Sequence, residues 1–143
     1  MIETAQRKIV LRPRKRGVHL VTDEILSKIP ELGRFDTGLL NLFLQHTSAA
    51  LTINENADPD VRGDTLTFID DLIPDNYPGF RHTIEGPDDM PAHLKSMIFG
   101  CGLSIPIGKG KPLLGTWQGI YLIEGREYGG SRHIVATLFG CVV

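Results

Sequence analysis

The sequence predicts a single α+β domain over residues 1–143: a two-sheet antiparallel β-sandwich with two to three helices. Three observations lead there. The chain has 143 residues, 41 % of them hydrophobic, which suits one core. Short apolar stretches with β-type patterning fill both ends of the chain. The order is strands, a helix, strands, two helices, then strands, and this segregation argues α+β with antiparallel sheets packed as a sandwich.

Thr4–Arg12 and Gly17–Val21 read as strands. Asp23–Leu32 reads as a helix capped by Thr22 or Asp23 and stopped by Gly33, with Pro30 bending or ending it early. Thr37–Gln45 is nearly continuously apolar, and at this length it predicts a strand buried on both faces. Leu40, Leu42 and Leu44 share one face of it, and His46 prolongs that face. Asp58-Pro59 is a strong helix start, with Asp58 as N-cap and Pro59 at the first helical position. Val61, Thr65, Phe68, Ile69 and Leu72 follow at helical spacing.

A turn-rich stretch, Pro74–Asp89, precedes a short helix, Met90–Phe99. Met90, Leu94, Met97 and Ile98 form its apolar stripe, and Gly100 ends it. The remainder reads as strands: Leu103–Ile107, Thr116–Glu124 and Arg132–Gly140, the last two joined through Gly129-Gly130.

Composition narrows the function. The net charge of −2 argues against nucleic acid as a partner, although six bases lie between Arg7 and Arg16. No aromatic residue interleaves with them. No run approaches the roughly 18 apolar residues of a membrane helix, so no membrane partner is expected. Two cysteines, Cys101 and Cys141, form no C-x-x-C pair, and the first ten residues lack the apolar core of a signal peptide. A reducing, cytoplasmic setting is expected.

The histidines are the main candidates for chemistry. His46 ends a buried strand, His82 lies in the turn-rich stretch, and His93 lies on the short helix. His93 sits about 85° from the centre of its helix's apolar stripe, and Asp64 sits about 85° from the stripe of the preceding helix. Two such polar shoulders could frame a cleft at the end of the Thr37–His46 strand. Imidazole serves as a ligand for zinc and similar metals, or as a general acid or base. The spacing matches no metal signature, since His82 and His93 are eleven residues apart. Three separately hydrogen-bonded histidines are the alternative.

Other motifs are weaker. Asn54, Asn56, Asp58 and Asp60 alternate as a calcium loop begins, but Pro59 replaces its Gly and Thr65 its closing Glu. Asn54, Glu55 and Asn56 remain candidates to bind a polar ligand. Gly108-Lys109-Gly110-Lys111 is not a P-loop. Gly115-Thr116-Trp117-Gln118-Gly119 puts the only Trp between glycines, where a ligand or another chain can approach the backbone.

Taken together, Leu39–Val61 (LLNLFLQHTSAALTINENADPDV), Arg81–Ser96 (RHTIEGPDDMPAHLKS), Leu113–Glu124 (LLGTWQGIYLIE) and Gly129–Gly140 (GGSRHIVATLFG) resemble the YjbQ family. The resemblance spans essentially the whole chain. It implies a two-sheet sandwich assembled as a homotrimer and a secondary thiamine phosphate synthase activity, joining a pyrimidine pyrophosphate to a thiazole phosphate. A non-enzymatic trimer binding a metal or a metabolite is the alternative.

The positions carrying the family pattern are His46, Asn54, Glu55, Asn56, Asp58, Asp64, His82, Asp89, His93, Thr116, Trp117, Gln118, Glu124 and Arg132. His46, His82 and His93 are expected to hold a divalent metal, zinc or magnesium, or to move a proton. Asp64, Asp89 and Glu124 are expected to orient them, and Arg132 to meet a small phosphorylated partner.

Overall fold

The computed structural model describes residues 1–143. The elements run β1 (Ile2–Leu11), β2 (Gly17–Leu20), α1 (Thr22–Leu26), a 3-10 turn (Pro30–Arg34), β3 (Phe35–Leu44), β4 (Ala49–Glu55), α2 (Pro59–Leu72), α3 (Asp89–Phe99), β5 (Gly102–Gly108), β6 (Lys111–Pro112), β7 (Gln118–Glu124) and β8 (Arg132–Val142). Two antiparallel sheets result. The larger has the order β1-β8-β3-β5-β6 and the smaller β2-β7-β4. The expected sandwich is therefore the observed one.

Alternation along each strand builds the main core between the sheets. β3 contributes Leu40, Leu42 and Leu44, and β8 contributes Ile134, Ala136 and Leu138. Leu51, Ile120 and Leu122 answer from the smaller sheet. That sheet is covered on its other face too, where Ala50 and Ile123 pack with Ile69 and Ile73 at the carboxyl end of α2. β7 is accordingly buried on both faces.

Four expectations are corrected. β3 is not buried on both faces: Leu39 and Phe43 are each about half exposed, because the larger sheet has no layer outside it. The helix expected over Asp23–Leu32 splits into α1 and the 3-10 turn, and Pro30, with no N–H to continue α1, begins that turn. β7 starts at Gln118, since Thr116 and Trp117 lie in the turn before it. On α3 the buried residues are Asp89, Pro91, Ala92 and Lys95, while Met97 and Ile98 face outward. Partnered charges there take the inward positions that apolar spacing assigns to Met97 and Ile98. Lys95 Nζ donates to Asp70 on α2 at 2.8 Å. The capping of α2 is as read: the Asp58 side chain accepts from Asp60 N at 2.9 Å.

Candidate functional site

α3 begins at Asp89, one turn ahead of His93, so the two side chains share a face. The turn-rich stretch before the helix brings His82 back to the same point. His82 Nε2 lies 2.6 Å and His93 Nε2 3.0 Å from one oxygen, Asp89 Oδ2. The two imidazole centroids are 5.3 Å apart. One ligand atom from each of the three residues falls within 4.8 Å of the others. His82 is the most exposed member and Asp89 is buried, so the cluster opens outward from its carboxylate.

His93 and Asp89 are each oriented from behind. His93 Nδ1 donates to the Thr47 carbonyl at 2.7 Å, just past the end of β3. A neutral imidazole has only one N–H. Two states satisfy both His93 contacts: an imidazolium, or a neutral ring with Nδ1–H on Thr47 and Nε2 sharing a cation with Asp89. The Thr47 bond thus selects the tautomer a metal needs. Arg126 Nη1 donates to the other Asp89 oxygen, Oδ1, at 2.5 Å, while its Nε donates to Asp88. Burial on its own would raise the Asp89 pKa. The His82 hydrogen bond and the positive charge of His93 and Arg126 outweigh it, and hold the carboxyl below its ordinary range. Two imidazoles and one ionised carboxylate fit zinc or another first-row ion, with positions left open. They suit magnesium poorly, because magnesium takes oxygen ligands.

His46 does not join this cluster. Its Nε2 accepts the His133 N–H at 2.8 Å, which ties the residues after β3 to β8. Burial, with the nearby charges of Arg132 and His133, lowers its pKa. It shares with His93 and Thr47 the wall of an open cleft beside Met97 and Cys101. A cleft lies at the end of β3 with His46 and His93 on it, but neither Asp64 nor His82 lines it.

Asp64 lies elsewhere, on the outer side of α2 beside Thr67, Phe68 and Asp71. Arg132 and Glu124 form a buried, doubly hydrogen-bonded pair. Arg132 also donates to the Ser48 carbonyl at 3.2 Å, one residue from Thr47, so the pair supports the cluster from inside the fold.

Asn54, Glu55 and Asn56 close the turn between β4 and α2. The Glu55 carboxylate accepts from the N–H groups of Ala57 and Asp58. Asn56 Nδ2 donates to the carbonyls of Thr116 and Gln118. Gln118 and Asn56 line a separate polar hollow of about 350 Å³ with Arg12, Arg14 and Thr22. Trp117 is two-thirds exposed.

Reading the residues in order misses Arg126 and Thr47. Arg126 meets its partners 37 and 38 positions away. Thr47 acts through its carbonyl, which every residue has.

A family model described as "UPF0047 protein YjbQ-like" matches residues 7–141. The UPF0047 protein YjbQ of Escherichia coli O157:H7 is 52 % identical over 135 residues, covering 94 % of this chain and 97 % of its own. Among solved structures, a YbjQ-like protein of unknown function from Sulfolobus solfataricus superposes with a TM-score of 0.86 over 99 % of this chain and all of that one; at 24 % identity it bears on the fold alone. A conserved hypothetical protein from Thermus thermophilus is 31 % identical, with a TM-score of 0.77 over 96 % of this chain and 99 % of that one. The chain belongs to the YjbQ (UPF0047) family.

Proposed function

We propose that the protein is an enzyme for phosphorylated or pyrophosphorylated small molecules, acting at a divalent metal held by His82, Asp89 and His93. The observation that carries this reading is the convergence of two imidazoles and one carboxylate within 4.8 Å. A bound ion of this kind supplies a Lewis acid for phosphoryl oxygens. Asp89 supplies the negative charge of the ligand set, and Arg126 fixes its rotamer. Arg81, exposed and next to His82, has no carboxylate partner and is free to meet phosphate. Joining a pyrimidine pyrophosphate to a thiazole phosphate, as in thiamine phosphate synthesis, is the specific reaction we favour, because a departing pyrophosphate needs such charge stabilisation.

We place this site in a homotrimer. The support is an uncovered apolar face on the larger sheet, where Leu39 pairs with Phe139 and Phe43 with Val135. One observation favours a second reading, a trimer that binds a metal or metabolite without catalysis. The guanidinium groups nearest the cluster are already matched by carboxylates, Arg126 by Asp88 and Asp89 and Arg132 by Glu124.

Metal analysis of tag-free protein and rescue of a strain lacking its main thiamine phosphate synthase test both readings. We expect about one zinc per chain, lost in His82→Ala and His93→Ala, and rescue lost in the same variants. Less than about a tenth of a metal per chain, with rescue unchanged in both variants, would overturn the metal-enzyme reading. Full metal occupancy without rescue selects the non-catalytic one.

A further inference from the structure

Under the amino-terminal end of α2 the helix leaves a hollow against the smaller sheet. Its carboxyl end packs tightly there through Ile69 and Ile73. Between its first turns and the sheet lies a cavity of about 110 Å³, closed at one side by Phe99 of α3. One water needs on the order of 10–15 Å³ on this measure, so the cavity holds a group of several atoms. It shares no lining residue with the His82–Asp89–His93 cluster or with the cleft beside His46.

Arg62 lines this cavity. It is the single base among seven acids between Glu55 and Asp75. Of the nine arginines, seven pair with a carboxylate; Arg62 and Arg81 do not. Arg81 is exposed to water, whereas Arg62 Nη1 is buried with no hydrogen-bond partner. A buried donor without an acceptor is costly, and a charged one more so. Two further polar groups are free on the same walls. The Thr52 hydroxyl has no partner, and the exposed Asn54, at the mouth, uses its Oδ1 on Glu55 N and keeps its amide N–H groups for a ligand or water. Apart from Thr65, whose hydroxyl donates to the Val61 carbonyl, the rest of the lining is apolar, with Val61, Phe99 and the Tyr121 ring prominent.

We infer that this cavity is a binding site for a small monocarboxylate with a short apolar tail. The guanidinium fork matches a carboxylate in two parallel hydrogen bonds. Thr52 and Asn54 supply further donors, and Val61, Phe99 and Tyr121 accept the tail. Arg62 is the only base on the walls, so it matches the single charge of a carboxylate and leaves a dianion such as phosphate half neutralised. The volume excludes nucleotides and other large anions.

The test is a two-dimensional amide NMR titration of the whole protein with isobutyrate and with benzoate. Sodium chloride and inorganic phosphate are titrated in parallel. We expect saturable shifts centred on Val61, Arg62 and Tyr121 with at least one carboxylate and with neither control. Arg62→Gln should weaken binding by about tenfold or more, the loss expected for a charge-assisted bond. Arg62→Lys keeps the charge without the fork, so it should bind several-fold more weakly than wild type, and it carries the test if Arg62→Gln fails to fold. His93→Ala should bind as wild type does, which separates this site from the proposed metal centre. No saturable shift with either carboxylate, equal affinity in Arg62→Gln or Arg62→Lys, or equal saturation by phosphate or chloride would each overturn the assignment.

Discussion

Arg132 Nε donates to Glu124 Oε1 at 2.7 Å while its Nη2 donates to Oε2 at 2.5 Å, across the turn that joins β7 to β8. Both side chains are buried. Gly129 in that turn lies against the pair: a Cβ added there would stand 2.6 Å from either Glu124 oxygen and 2.7 Å from Arg132 Nη2. Removing one partner strands a buried charge, a loss of about 3–5 kcal/mol. Arg132→Ala should therefore lower the denaturant midpoint strongly. Gly129→Ala should lower it as well, with the ion-pair chemistry untouched. A midpoint within error of wild type for Arg132→Ala would show that the pair does not hold this turn.

Arg126 reaches Asp89 Oδ1 at 2.5 Å and leaves Oδ2 to the two histidines. It touches neither imidazole through a hydrogen bond, so its role toward a metal is to position the carboxylate. Arg126→Ala should weaken zinc binding by roughly 10–100-fold, the usual range for a group that orients a ligand. The histidine ligands remain in that variant, so stoichiometry should be kept at high zinc. Competition with a chromophoric chelator measures both quantities. Unchanged affinity would mean that Asp89 is held by its helix alone.

Much of this architecture is legible in the sequence, because strand alternation and the Asp58-Pro59 start are local signals. β3 shows where periodicity fails. An apolar run reads alike whether its second face meets a helix or nothing, and only the sheet order reveals that nothing covers Leu39 and Phe43. α3 fails for the opposite reason. Lys95 and Asp89 are buried because Asp70, His82 and Arg126 neutralise them, and those partners come from other elements. The site divides in the same way. His93 on a helix shoulder is a geometric reading, whereas its meeting with His82 depends on a turn whose path no pattern encodes.

His46 gives a pH dependence of definite sign. Its folded pKa lies below the ordinary 6.5, first through burial and then through Arg132 and His133. The unfolded chain therefore binds the proton more readily as pH falls through 6.5. Stability supplied by neutral His46 is full above that value and declines as pH drops toward the lowered folded pKa. His46→Asn keeps an acceptor for the His133 N–H but does not titrate. Urea melts at neutral and mildly acidic pH should show a smaller acid-side loss in the variant. An equal loss would assign that slope to other groups.

The outer face of β3 and β8 bears on assembly. Phe43 is 48 % and Phe139 54 % exposed, on the face opposite Leu40, Leu42 and Leu138. Contiguous exposed apolar side chains on a sheet mark an association surface. Phe43→Lys and Phe139→Lys would put a charge on that face and leave the inner core unchanged. If the proposed homotrimer forms through it, light scattering coupled to gel filtration should give a trimer mass for wild type and a monomer mass for the double variant. Its circular dichroism should match wild type, since neither ring packs in the core. A trimer mass retained by the double variant would move the interface elsewhere, with the outward Met97 and Ile98 of α3 the next surface to charge.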